Sequence, residues 1–278
     1  MGRALRQIAQ RWCAEGRRVE VIEVLRARGS VPRESGTRML VSAQGVVGTI
    51  GGGHLEWQAL ARARERLKLP ASGPEDVSFA LGPALGQCCG GSLVLRHCAL
   101  DAQELQAWPH TPARFDLQLF GAGHVGRAIV RALHGIDADV RWMDLREEAL
   151  DEITVTSLQD PSGSLQLETV WSDPLAHEVA QAAPGSDFLV LTHSHDLDLT
   201  LTEHILRRGD FGFLGLIGSA TKRARFVHRL REKGLSQRLL DRITCPIGLP
   251  EISGKEPAVI AIAVVAQLLS KSAPPESR

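Results

Sequence analysis

The sequence predicts an α/β protein in two parts: a small α+β domain over residues 1–98, then a doubly wound parallel-sheet domain over 115–278, joined by a linker at 99–114. Three observations predict this. The first is Gly121-Ala122-Gly123-His124-Val125-Gly126 and its surroundings. An apolar run, Phe115 to Phe120, precedes it. A helical stripe of Val125, Ala128, Ile129, Ala132 and Leu133 follows, and Asp144 closes the next apolar segment, Ala138 to Met143. Strand, glycine turn, helix, strand and terminal acid in that order make the opening of a Rossmann-like unit. The second is a series of later apolar strands, Leu165 to Val170, Asp187 to Thr192 and Phe211 to Ile217, the last two each followed by a helical pattern. The third is that residues 1–98 mix short strands with helices and do not read as βα units.

Within the first domain the elements follow in order. A short helix near Leu5 to Ala14 leads to a strand over Arg18 to Arg28, marked by Val19, Val21, Val24 and Leu25. Strands Thr37 to Ser42 and Val46 to Ile50 flank Ala43-Gln44-Gly45, a hairpin-type turn. Gly51-Gly52-Gly53 opens a helix from about His54 to Leu67 with Leu55, Ala59 and Leu67 on its apolar side. Asp76 to Leu81 and Ser92 to Cys98 read as two more strands. The linker is polar and proline-punctuated, with Asp101, Gln103, Glu104, Gln106, Pro109 and Pro112. In the second domain, Ala258 to Leu269 predicts a helix buried on most sides, and residues 273–278 are expected to fray.

Bulk properties narrow the function classes. The 278 residues carry 32 Lys plus Arg against 32 Asp plus Glu, so no global field draws the chain to nucleic acid or a membrane. The most apolar stretch is too short for a membrane span. Five cysteines without framework spacing suit free thiols in a reducing cytoplasm. Apolar strands at a sheet edge lead us to expect a homodimer.

Several clusters carry candidate chemistry. In the glycine turn, Gly121 permits a tight bend, Gly123 and His124 open the helix to a pyrophosphate, and Gly126 lets helix and strand pack. Asp144 suits a ribose 2′-OH, whereas Arg146 suits a 2′-phosphate, and the sequence does not choose between them. Gly86-Gln87-Cys88-Cys89-Gly90-Gly91 sets two thiols among glycines, where soft thiolates suit sulfur transfer or a soft metal. Gly51, Gly52 and Gly53 form a natural anion nest, beyond what a tight turn needs, and Glu56 complements the helix dipole. Gly218-Ser219 opens a helix whose first residues include Lys222, Arg223 and Arg225. Cations there oppose the macrodipole by up to about 1 kcal/mol each, which points to a bound anion. His193-Ser194-His195-Asp196-Leu197-Asp198 closes a strand, with both imidazoles two residues apart on one face. This partly resembles the metal motif of the metallo-β-lactamase hydrolases but fails its register.

Taken together, these residues resemble the XdhC/CoxI family, the accessory proteins of xanthine dehydrogenase and related molybdenum hydroxylases. The resemblance spans almost the whole chain. It runs through Gly29-Ser30-Val31-Pro32-Arg33, Gly36-Thr37-Arg38-Met39, Gly48-Thr49-Ile50-Gly51-Gly52-Gly53-His54-Leu55-Glu56 and the Cys88-Cys89 loop. It continues through the Gly121–Gly126 turn, Thr192-His193-Ser194-His195-Asp196, Ile217-Gly218-Ser219 with Lys222-Arg223, and Pro246-Ile247-Gly248-Leu249. The cysteine pair is similar to the XdhC branch, and His54 stands where many relatives carry Cys. The resemblance implies a chaperone rather than a catalyst. Such a protein binds the molybdenum cofactor (molybdopterin), holds it while a cysteine desulfurase supplies the sulfido ligand, and delivers it to the molybdenum-binding subunit of xanthine dehydrogenase. On that reading Cys88 and Cys89 lie at molybdenum. The cofactor's phosphate or pterin meets Gly51 to Gly53, His193 and Gly218 to Arg223, and the Gly121–Gly126 turn with Asp144 holds a nucleotide part or a separate NAD(P).

Two rival classes remain, beside a third and blander reading, a regulatory nucleotide sensor without chemistry. One is an NAD(P)-dependent oxidoreductase using His193 or His195; the chain has no tyrosine, so the Tyr–Lys pair of short-chain dehydrogenases is excluded. The other is a metal-dependent hydrolase using His193, His195 and Asp198.

Overall fold

The computed structural model describes residues 2–70, 73–81, 91–109, 112–160 and 163–272, excepting the side chains of 152–154. The chain divides into two compact units, Met1–Thr111 and Pro112–Arg278. Cys88, Cys89 and the tail at 273–278 lie outside the described residues.

The first unit contains α1 (Gly2–Ala14), β1 (Val19–Arg28), β2 (Arg38–Ser42), β3 (Val46–Gly48), α2 (Gly53–Lys68), β4 (Glu75–Ala80), β5 (Ser92–Ala99) and α3 (Ala102–Ala107). Its antiparallel sheet has the order β3-β2-β1-β5-β4. Successive residues of β1 point to opposite faces, and each face has its own core. Ile22 and Val24 join Met39, Val41, Leu93 and Leu95 beneath Leu55, Ala59 and Ala63 of α2. Val19 and Val21 join Leu40 and Cys98 beneath Leu5, Ala9 and Trp12 of α1. The β2–β3 turn closes where the sequence predicts, with the Ser42 hydroxyl accepting from Gln44 N and Gly45 N.

The predicted linker is corrected in part. Asp101 caps α3 by accepting from Glu104 N at 2.7 Å, and Trp108 is buried against the α1 cluster. Arg6 fixes the end of this segment by donating to Trp108 O. The polar composition of 101–107 reflects a short helix with no buried residues, and the division between units falls after Thr111.

The second unit contains β6 (Asp116–Phe120), α4 (His124–Ala132), β7 (Ala138–Asp144), α5 (Glu152–Ser157), β8 (Leu165–Trp171), α6 (Ala176–Gln181), β9 (Asp187–Val190), α7 (His195–Arg208), β10 (Phe213–Leu216), α8 (Ala220–Glu232), α9 (Gln237–Leu240), β11 (Ile243–Thr244) and α10 (Pro257–Ser272). All six strands are parallel, in the order β11-β10-β9-β6-β7-β8. That is the doubly wound Rossmann order, and its direction of winding reverses between β6 and β9. One sheet face packs Leu117, Leu119 and Trp142 against α4 and α10; the other packs Phe120, Phe188 and Val190 against α6, α7 and α8. Helix α10 is less enclosed than its apolar sequence predicts, since Ile262 is 57% exposed.

Candidate functional site

In the second unit the predicted residues gather at the carboxyl ends of the strands, where open α/β sheets place ligands. A mouth of about 290 Å³ is lined by Thr192, His193, His195, Asp198, Ile217, Gly218, Ser219 and Lys222. It arises because β9 and β10 are neighbours and each runs straight into a helix. Ser194 caps α7 by accepting from Leu197 N, and Ser219 caps α8 by accepting from Lys222 N. His193 and His195 are exposed at the rim.

The lysine expected to greet an anion already has a partner inside the protein. Lys222 Nζ donates to Asp198 Oδ2 at 2.6 Å and to Ile217 O at 2.8 Å. Asp198 Oδ1 accepts from Thr192 N and from the Thr192 hydroxyl. Arg223 Nε donates to Ile243 O. A first-turn cation on α8 is therefore explained without a ligand, although an ammonium has three N–H groups and two are used. Asp198 is likewise unavailable to the hydrolase reading, and among the described residues no three His, Cys, Asp or Glu side chains group as a metal site.

At the switch between β6 and β9, the glycines of the turn have separate roles. A Cβ on Gly121, at φ +117°, would lie 2.2 Å from Leu191 O, and one on Gly126 would lie 2.2 Å from Gly121 O. Both glycines are required by close backbone packing. A Cβ on Gly123 would meet nothing within 4 Å. The Asp144 carboxylate at the end of β7 is buried and fully engaged. Its Oδ2 accepts from Ala122 N and Arg146 Nη2, and its Oδ1 from Arg146 N and Nε. Burial alone would raise this carboxyl, but those bonds and the guanidinium charge hold it below the usual aspartate range.

In the first unit, Gly51, Gly52 and Gly53 all have positive φ, at +123°, +75° and +67°. The backbone path thus needs all three, contrary to the expectation that three exceed the demands of a turn. The nest does hold an anion, and it is the chain's own. Glu56 Oε2 accepts from Ile50 N and Gly52 N at 3.1 Å each and from the Thr49 hydroxyl. Glu56→Ala should leave these donors without their acceptor and lower stability by about 1–3 kcal/mol, read as a shifted urea midpoint. An unchanged midpoint would mean that water replaces the carboxylate at no cost.

At the ends of β4 and β5, Leu81 N donates to Gly91 O; Cys88 and Cys89 lie outside the described residues. Gly91 lies against Arg28 O and Ser30 O, and Gly51 against Pro32. The described cysteines offer no alternative soft ligand pair. Burial pushes Cys98 up to about 12 and raises Cys245 against the lowering influence of Lys222 and Arg223, so both stay protonated at neutral pH.

Residues 117–268 match the family described as the XdhC Rossmann domain, and residues 12–75 match the XdhC and CoxI family. The uncharacterized protein YqeB of Escherichia coli K12 is 31% identical over 261 residues, covering 89% of this chain and 42% of YqeB. The chain thus spans less than half the length of that curated relative. The crystal structure of a Bacillus halodurans protein described as a xanthine dehydrogenase superposes with a TM-score of 0.73 at 17% identity, covering 96% of this chain and 95% of that one. At that identity the likeness shows the fold. Among the described residues no helix is long and apolar enough to cross a membrane.

Proposed function

This chain belongs to the XdhC and CoxI family, and from that premise we propose that it is an accessory protein for xanthine dehydrogenase, binding the molybdenum cofactor and handing it on. The observation that carries the reading is the mouth at the ends of β9 and β10. Its donor chemistry fits the phosphate of a pterin cofactor: the remaining N–H of Lys222, the Ser219 hydroxyl, two rim imidazoles and the openings of two helices. Gly218 and Ser219 would hold the phosphate there, with His193 beside it. The Gly51–Gly53 nest receives Glu56 instead. When bound, the cofactor would supply the metal, and the desulfurase its sulfido ligand. The contribution of the second unit on this reading is to hold the phosphate, and Cys88 and Cys89 would offer the soft thiols. Its partners on this reading are the molybdenum-binding subunit of xanthine dehydrogenase and a cysteine desulfurase in the cytoplasm, and the carrier acts as a homodimer.

Cys88→Ala/Cys89→Ala should lose the cofactor in a binding titration while keeping the wild-type melting transition. Undiminished binding would remove both thiols from the site. A preparation carrying pterin fluorescence together with molybdenum would support the class; one from a cofactor-producing host that carries neither would count against it.

A further inference from the structure

We infer that the Gly121–Gly126 turn is a site for an adenine dinucleotide bearing a 2′-phosphate, the NADP(H) class, and that the Asp144–Arg146 pair selects against the same dinucleotide with a free 2′-OH. This goes beyond the pterin-cofactor reading and stands or falls separately from it.

Gly123 supplies the first step. Its φ is −76°, which any residue adopts, and a Cβ there would touch nothing. Neither dihedral nor internal packing asks for glycine at this position, whereas Gly121 and Gly126 are both explained from within. What an absent side chain provides at Gly123 is room for a ligand to approach the backbone, the task of the middle glycine in a dinucleotide turn. The turn is rigid. Arg127 Nε donates to Ala122 O and Trp142 Nε1 to Gly121 O.

The second step concerns the ribose. An acid at the end of the second strand recognises a 2′-OH by accepting its hydrogen bond, which needs an empty acceptor position. A carboxylate has about four such positions. Two backbone N–H groups and two guanidinium N–H groups fill those of Asp144. A 2′-OH would meet a saturated acceptor.

The third step concerns what that arrangement presents instead. A guanidinium carries five N–H donors in a fixed plane. Arg146 uses its Nε–H and one Nη2–H on Asp144, which leaves the two on Nη1 and one on Nη2. The Arg146 side chain is 36% exposed and the carboxylate holding it 3%. Asp144 is therefore a positioning residue: it orients the guanidinium edge outward, in the planar form that suits a phosphate.

Titration of the purified full chain with NADPH and NADH, followed by nicotinamide fluorescence, should give at least about ten-fold tighter binding of NADPH. Adenosine 2′,5′-bisphosphate should displace NADPH, and adenosine 5′-monophosphate should do so about ten-fold less well. Arg146→Met should weaken NADPH about ten-fold and tighten NADH, because Asp144 regains empty acceptors. Arg146→Lys should retain an intermediate preference. Wild-type protein that prefers NADH, binds neither nucleotide, or releases NADPH equally to both adenosine phosphates would overturn the assignment. So would a folded Arg146→Met protein with the wild-type ratio. None of these results touches the thiol-dependent cofactor titration.

Discussion

Lys222→Met should destabilise the protein by about 3–5 kcal/mol, measured by urea unfolding near neutral pH, with the fold otherwise intact. The magnitude follows from where the pair sits. The side chains of Lys222 and Asp198 are 10% and 2% exposed, so the carboxylate has little water to fall back on. Without the ammonium it keeps only Thr192 N and the Thr192 hydroxyl as donors. Removing one member of a buried pair leaves an uncompensated charge, which costs far more than the pair contributes relative to apolar residues. Hence Lys222→Met/Asp198→Leu should recover much of the loss, and a double variant no better than the single would refute this account. The pair also bridges the first turns of α7 and α8, so Lys222→Met should loosen the mouth and speed amide exchange at Thr192 and Asp198. A loss under about 1 kcal/mol would mean that water reaches the carboxylate.

The same pair shows what a sequence carries and what it does not. Period-2 alternation and the glycine turn are local signals, and they place most strands of both units within a residue or two of their observed ends. β11 is two residues long and has no period to detect. The sequence also marks Lys222 and Asp198 as chemically active, but nothing local says that they meet. They lie 24 positions apart and are joined only because β9 and β10 are adjacent. Glu56 is a different case. It stands four residues beyond Gly52, within reach of the nest, and a sequence cannot say whether an anion site is filled from inside or outside. Asp144 and Arg146 likewise read as two ribose-recognition options when they are in fact bonded to each other. Sequence identifies groups that want an opposite charge, and topology decides which receive it internally.

His97 carries the other large effect: Leu93, Leu95 and His97 share a strand face by alternation, so burial follows from position. The imidazole is wholly buried, opposite Ile22 of β1 and Glu75 of β4, and neither ring nitrogen has a hydrogen-bond partner. Burial, then the charges of Arg62 and Arg66, push its pKa down to about 4, with Glu75 opposing. The sign of the consequence is fixed. Between pH 6.5 and about 4 the unfolded chain binds a proton at His97 that the folded chain does not, so this residue removes stability as pH falls through that window and adds nothing further below it. At about 1.4 kcal/mol per pH unit, the loss approaches about 3 kcal/mol at the acid end. Glu20 and Glu75 titrate nearby in opposite senses, Glu20 raised mainly by burial and Glu75 lowered mainly by its bond from Arg62, so the informative quantity is a difference between variants. His97→Leu should be more stable than wild type by about 1–3 kcal/mol at pH 7, because two unsatisfied polar atoms leave the core. Its advantage should widen steadily on acidification to pH 4. Urea midpoints at pH 7, 6, 5 and 4 for the two proteins give that difference directly. A constant gap, or a leucine variant weaker than wild type throughout, would mean that the imidazole is solvated or bonded within the folded state and that its burial carries no proton-linked cost.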